Sequence, residues 1–276
     1  MRAGELVLTA VDARISEDTP RDLRGVRTLA PHLVDRFGLG RAAWVEGRQG
    51  PFERTSWRDD LPASRHVLEA AAAAVTGAVA RGETPVTLAS DCSLAIATLP
   101  AMASAVAEMT VLWLDAHADY DTPATQTYDF LGCMSLAGAC GAWDTGLGSL
   151  SPGVVVHVGA RAAPGDFDHA GQEHGRRELR AMLAASATPA EVLAALGPGP
   201  LYVHLDPDVL DPADFPVPYA RPEGLHQQDL VALLREVAAA REIAGVEVTA
   251  FHSADDEPTR ERVCGLLGDA VEALLA

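Results

Sequence analysis

Val111-Leu112-Trp113-Leu114-Asp115-Ala116-His117-Ala118-Asp119 lies near the middle of the chain. A short apolar run leads straight into carboxylate, imidazole and carboxylate at alternate positions. An apolar run of this length, closed by polar residues, reads as a strand covered on both faces. The pattern returns further on, as Leu201-Tyr202-Val203-His204-Leu205-Asp206-Pro207-Asp208. Two buried strands that each end in metal-type donors predict a site at the carboxyl edge of a parallel sheet, where open α/β proteins bind their ligands.

The surrounding sequence supports that sheet. Strands are predicted over Glu5–Val11, Pro85–Ala89, Thr110–Asp115, Val154–Val158, Leu201–Asp206 and Gly245–Phe251. Helices are predicted over Arg21–Phe37, Ala63–Ala80, Ser93–Ala107, Gly175–Ala184, Pro189–Ala195, Leu225–Ala240 and Glu257–Leu275. Short strands separated by helices argue for βαβ units. The expected fold is a three-layer α/β/α arrangement with a mainly parallel sheet, forming a single domain over residues 1–276. Irregular segments at 120–133, 160–173 and 211–224 each follow a strand able to deliver a site residue. No internal repeat or low-complexity linker breaks the pattern.

The 276 residues are 48% hydrophobic, enough for one large core. A net charge of −18 argues against nucleic-acid and membrane partners, because such a surface repels phosphate and anionic lipid. All 21 basic residues are arginine, which excludes lysine Schiff-base chemistry and a P-loop lysine. The cysteines at 92, 133, 140 and 264 show no CxxC pairing, so neither a zinc ribbon nor a disulfide framework is expected. No basic leader followed by an apolar stretch opens the chain. No apolar run reaches the ~18 residues of a membrane span. A cytoplasmic protein with reduced thiols is the expectation.

On a continuing extended chain Asp115, His117 and Asp119 share one face, and Asp206 and Asp208 repeat the spacing. Carboxylates with one imidazole suit hard or borderline divalent ions such as Mn²⁺. So many carboxylates close together need cations to offset their repulsion, which favours two ions over one. Either segment alone is also compatible with a polar loop or an Asp/Pro turn. Both together, each ending an apolar strand, favour a site.

These motifs resemble those of the ureohydrolase (arginase/agmatinase) family. Asp115-Ala116-His117-Ala118-Asp119 is similar to DAHxD, with Thr122-Pro123 following. His204 to Pro212 is similar to SxDxDxxDP, and Ala89-Ser90-Asp91-Cys92-Ser93 stands where the family has GGDHS. The resemblance runs from about Pro85 to the C-terminus. It implies two Mn²⁺ ions that activate a hydroxide for attack on a guanidinium carbon. It implies that Asp115 and Asp206 bridge them, that His117 and Asp208 complete one site, and that Asp119 and Cys92 complete the other. Asp119 and His117 become the candidate catalytic residues, Asp119 passing a proton to the leaving nitrogen. Asp91 is expected to orient a ligand from behind. A small-molecule guanidine substrate and a homo-oligomer are implied as well.

The departures bear on the substrate. Cys92 replaces a histidine ligand. Leu131 stands where arginases carry a substrate-loop histidine, and Ala250 where a glutamate grips the guanidinium. Glu247 points to the opposite face of its strand, while His252 shares the face of Ala250. Leu131, Ala250 and His252 are thus the expected substrate-facing positions, and with Phe251 they would line a pocket less polar than arginine requires. Asp166 and Asp168 read as solvated loop acids, and His157 as a core histidine. The cysteine and residues 93–144 resemble the Nω-hydroxy-L-arginine amidinohydrolase branch. Rival readings are a non-catalytic homologue and a metal hydrolase of another amide or formimino substrate.

Overall fold

The computed structural model describes residues 6–215 and 219–275. Eight strands form one sheet: β1 (Leu6–Asp12), β2 (Ala43–Glu46), β3 (Thr84–Leu88), β4 (Thr110–Leu114), β5 (Val155–Val158), β6 (Ala181–Leu183), β7 (Leu201–Leu205) and β8 (Ile243–Val248). The order is β2-β1-β3-β8-β7-β4-β5-β6, and each of these pairings is parallel. The helices are α1 (Pro20–Phe37), α2 (Trp57–Ala80), α3 (Ala95–Ala105), α4 (Ser135–Ala139), α5 (His169–Glu178), α6 (Pro189–Ala195), α7 (Gln227–Ala240) and α8 (Glu257–Leu275).

Period-two alternation divides the buried residues between two layers. Leu112 and Leu114 of β4 face a core with Val203 and Leu205 of β7 and residues of α1, α6, α7 and α8. Val111 and Trp113 face the other core, with Tyr202 and residues of α2, α3 and α4. Helices therefore cover both faces, which is the expected α/β/α arrangement. At about 25 cal/mol per Å² of apolar surface removed from water, these two cores are the main stabilising term.

Local signals set most helix boundaries. Thr19 caps α1 through its side chain, Pro20 opens it, and Gly38 closes it in the left-handed region at φ 62°. The helix predicted from Ala63 begins instead at Trp57, because Ser56 caps it and Asp59 and Asp60 favour its first turn. The predicted helix at 175–184 is corrected. Helix α5 ends at Glu178, and Ala181–Leu183 pairs with β5 as an edge strand. The short strand β2 and the single-turn α4 lie outside the predicted elements.

Register positions the site. Leu88, Val248, Leu205, Leu114 and Val158 lie side by side on five neighbouring strands. The next residues continue the ladder: Ala89 N–H donates to Val248 O, Thr249 N–H to Leu205 O, Asp206 N–H to Leu114 O, and Asp115 N–H to Val158 O. The central strands therefore end together, and the side chains that follow them share one edge.

A candidate metal centre and its cavity

The two acidic motifs leave their strands by turns rather than as extended chain, which corrects the same-face expectation. Strand β4 stops at Leu114, and Asp119 sits in the left-handed region at φ 49°. Convergence comes from side chains that hold backbone. Asp115 Oδ1 accepts His117 N–H at 2.6 Å, Asp208 Oδ1 accepts Ala116 N–H at 2.9 Å, and Asp168 Oδ2 accepts Ala118 N–H at 2.8 Å. Asp206 caps its own turn by accepting Asp208 N–H at 2.9 Å. Behind Cys92, Asp91 Oδ1 accepts Ser93 N–H at 2.7 Å. Such bonds fix each donor's direction before any ligand arrives.

Two clusters of potential donor atoms result among the described residues, each within 4.8 Å: Asp115, His117 and Asp208, and Cys92, Asp115 and His204. Asp115 belongs to both. Asp206 joins the second cluster by contact, since Cys92 Sγ donates to its Oδ2 at 3.2 Å. Asp119 Oδ2 accepts from Ser135 Oγ at 2.9 Å. His117 Nδ1 lies 2.7 Å from Asp208 Oδ2, while its Nε2 is buried without a partner. His204 was not foreseen at the site. Its ring stacks on Trp113 with centroids 3.5 Å apart, and its nitrogens contact Glu247 Oε1 at 2.9 Å and Thr249 Oγ1 at 3.2 Å. With both nitrogens engaged, His204 serves to place Thr249, whose hydroxyl lies 3.2 Å from Cys92 Sγ. Glu247 is buried beneath this pair and is absent from the cavity lining, on the opposite face as expected.

The electrostatics are those of carboxylates awaiting positive charge. Burial, then Asp208 and Asp119, push Asp115 well above the usual carboxylate range. Burial and Asp168 do the same to Asp119, and burial with Asp208 and Asp115 to Asp206. Burial, then Asp206 and Asp119, raise the Cys92 thiol. Burial works against the His117 cation, yet the Asp208 and Asp115 carboxylates raise it overall. The donor set and the orphaned imidazole nitrogen fit divalent cations: oxygen donors with one imidazole suit hard ions, and the thiol adds a softer donor.

A cavity opens over this edge. Ala250, His252, Phe130, Gly132 and Cys133 line it, together with Arg54, Tyr128, Phe167 and Tyr219. Strand β8 ends at Val248 and Ala250 turns left-handed at φ 53°, so Ala250 and His252 reach the cavity from a loop and not from one strand face. His252 Nε2 is 2.6 Å from Asp22 Oδ1. Leu131 is a correction: it is fully buried in the core, and its neighbours Phe130 and Gly132 face the cavity. Phe251 is likewise core. The expected less polar pocket is corrected too, because seven carboxylates line it: Glu17, Asp18, Asp22, Asp91, Asp119, Asp206 and Asp208.

Asp168 is a further correction. It is fully buried against the Asp115–Asp119 turn, whereas Asp166 is partly exposed and paired with Arg221 at 2.6 Å. Burial raises the Asp168 carboxyl to about 6. Its alternation with Phe167 was the available signal, and an isolated acid in an irregular segment hides it. His157 is a buried core histidine, its Nε2 bonded to Asp115 O at 2.9 Å.

Fold and site together define an α/β/α protein with a carboxylate-rich, metal-type centre at the carboxyl edge of a parallel sheet. Sequence comparison makes the class specific: residues 39–270 match the arginase family. An Nω-hydroxy-L-arginine amidinohydrolase from Streptomyces lavendulae is 32% identical over 266 residues, 96% of this chain and 95% of that one. The chain belongs to the arginase family. The solved arginase of Bacillus subtilis superposes with a TM-score of 0.81 at 19% identity, covering 99% of this chain and 98% of that one. The Bacillus cereus arginase does so with 0.79 at 23% identity, covering 95% and 97%. At these identities the solved structures speak for the fold.

Proposed function

We propose that the protein is a metal-dependent hydrolase that cleaves the C–N bond of a linear amidine. The substrate class is a guanidine or N-hydroxyguanidine of the Nω-hydroxy-L-arginine type, and the products are urea or hydroxyurea and an amine. One observation carries the reading: carboxylates, an imidazole and a thiol from β3, β7 and β4 meet at one buried edge, with Asp115 common to both donor clusters. Similarity to the S. lavendulae amidinohydrolase over nearly the whole chain supports the substrate class.

By the family resemblance, Asp115 and Asp206 would be shared by the two halves of the site, with His117 and Asp208 completing one and Asp119 and Cys92 the other; the sharing of Asp115 by both donor clusters supports this. Two divalent ions held there, Mn²⁺ by family resemblance, would supply a nucleophile available at neutral pH and offset the carboxylate charge. Asp119, with one oxygen fixed by Ser135, lines the cavity with its carboxyl available to carry a proton to the leaving nitrogen. His117, oriented by Asp208, completes the acid–base set. The aromatic walls Phe130, Phe167 and Tyr128 limit access of water.

The test is metal content by mass spectrometry after Mn²⁺ loading and desalting, with turnover of Nω-hydroxy-L-arginine and L-arginine measured in parallel. Two ions per chain and release of hydroxyurea are expected, and Asp115→Ala should lose both. A loaded protein that turns over no guanidine would overturn the reading in favour of another amide or formimino substrate. A chain that takes up no metal would favour a non-catalytic relative.

A further inference from the structure

We propose that Glu17, in the loop after β1, is the carboxylate that binds the cationic head of the substrate. The identity of that cation as a guanidinium rests on the hydrolase reading above; the existence of the subsite does not.

Glu17 lines the cavity yet is only 3% exposed. Its Oε2 accepts the N–H groups of Ile15 at 2.9 Å and Ser16 at 3.1 Å. Its Oε1 is buried without a partner. Leaving a buried carboxylate oxygen unpaired is costly, and sites that do so commonly await a ligand. Each nearby cation among the described residues is already engaged. Arg14 donates to the backbone oxygen of Glu17, while its guanidinium is neutralised by Asp60 at 2.9 Å. Arg54 pairs with Asp18 at 3.4 Å, and His252 with Asp22 at 2.6 Å. Asp91 beside it is saturated, accepting Ser16 N–H and Oγ, Glu17 N–H and Ser93 N–H. Burial and then Asp91 raise the Glu17 carboxyl well above its usual range, as expected of an acid with no counter-ion.

The placement is also fixed. Glu17 N–H donates to Asp91 at 3.1 Å, and Asp91 in turn caps the turn that carries Cys92. The backbone of Glu17 is thus tied to the turn that carries Cys92 through two hydrogen bonds to Asp91. Ala250, on the opposite side of the Cys92 turn in the sheet order, offers the cavity no charge. A flat cation that gives one N–H to Oε1 would complete Glu17.

The test compares n-butylguanidinium with n-butylurea, which share a body and differ in head charge, by calorimetric titration of the Mn²⁺-loaded protein. The wild type should prefer the guanidinium by about tenfold or more, the value of a charge-assisted bond in a buried site. Glu17→Gln and Glu17→Met should bring the preference below about threefold, and Glu17→Asp should keep part of it. Metal content should not change in any variant. Melting curves establish that the variants fold, and Glu17→Asp, which keeps the charge, is the control should the neutral variants not fold. A wild type that binds neither probe or both alike, a preference that survives in Glu17→Gln, or a metal ion lost only with Glu17 would each overturn the assignment. Failure of the hydrolase reading shows separately, as no turnover of any guanidine while the Glu17-dependent preference persists.

Discussion

Replacing Asp168 by asparagine should stabilise the metal-free protein, and only above a definable pH. In the fold this carboxyl is raised from 3.8 to about 6, chiefly by burial. The folded state therefore holds its proton where the unfolded chain has lost it. Stability must then fall as pH rises from about 4 through about 6, because the folded state binds more protons over that window. At about 1.4 kcal/mol per pH unit, full ionisation costs about 3 kcal/mol, of which about half is in place by pH 5. Asparagine keeps an acceptor for Ala118 N–H, now 2.8 Å from Asp168 Oδ2, and cannot ionise. Urea unfolding of chelator-treated wild type and Asp168→Asn at pH 5, 6, 7 and 8 measures the difference. The variant should gain about 1.5 kcal/mol at pH 5 and about 3 kcal/mol at pH 8. A difference that stays flat with pH, or a variant less stable than wild type at pH 8, would refute the reasoning. It would mean that the ionised carboxylate is satisfied by the Ala118 bond and the nearby His117.

Three further outcomes are expected. Gly159→Ala should cost about 2 kcal/mol or more and lower metal affinity, since a Cβ there would lie 2.5 Å from Asp115 O and the backbone is at φ 120°; thermal melting and metal titration check this. Arg14→Met should destabilise by about 3 kcal/mol in urea titration, because Asp60 is fully buried and would keep only its bonds to Arg48 and the Thr55 hydroxyl; a cost below about 1 kcal/mol would show that Arg48 and Thr55 suffice. Cys92→His should raise Mn²⁺ affinity, an imidazole being the better donor for that ion; unchanged affinity in direct titration would show that Cys92 Sγ, now bonded to Asp206 and Thr249, is no ligand.

The sheet was legible because its central strands are apolar on both faces. Val111–Leu114 and Leu201–Leu205 carry no competing pattern, and their positions follow. Strand β6 was not legible, for all three of its residues are only partly buried at the edge and Ala-Met-Leu suits a helix equally well. At the site, donor types could be read and donor geometry could not. Alternate spacing suggested one extended face, but the chain turns at Asp115 and uses carboxylates of Asp208 and Asp168 to hold the turn. Those are contacts between distant segments, which spacing does not encode. Leu131 shows the same limit: one residue of register in a loop decides whether a side chain meets cavity or core. Glu17 lies far before the nearest recognisable motif, Ala89–Ser93, in sequence but not in space, joined to it by the β1–β3 pairing.

That pairing bears on why so acidic a cavity can exist. Seven lining carboxylates face one arginine and two histidines, His117 and His252. Arg54 and His252 are matched to Asp18 and Asp22, and His117 to Asp208. The remaining acids are Glu17, Asp91, Asp119 and Asp206. Asp91 is met by four donors, which leaves Asp119 and Asp206 towards the metal-type donors and Glu17 towards the cavity wall. The two packed cores must therefore hold a site that is unfavourable by itself, and positive charge arriving from outside relieves it. Metal ions that bind only the folded chain then act on stability by mass action, about 2.7 kcal/mol at a free concentration one hundred times Kd. The Asp168 effect belongs to the metal-free protein for the same reason: cations beside Asp119 lower the cost of ionising its neighbours, so loading with Mn²⁺ should shrink the advantage of Asp168→Asn at pH 8. An advantage that is as large after loading would place Asp168 outside the field of the metal centre.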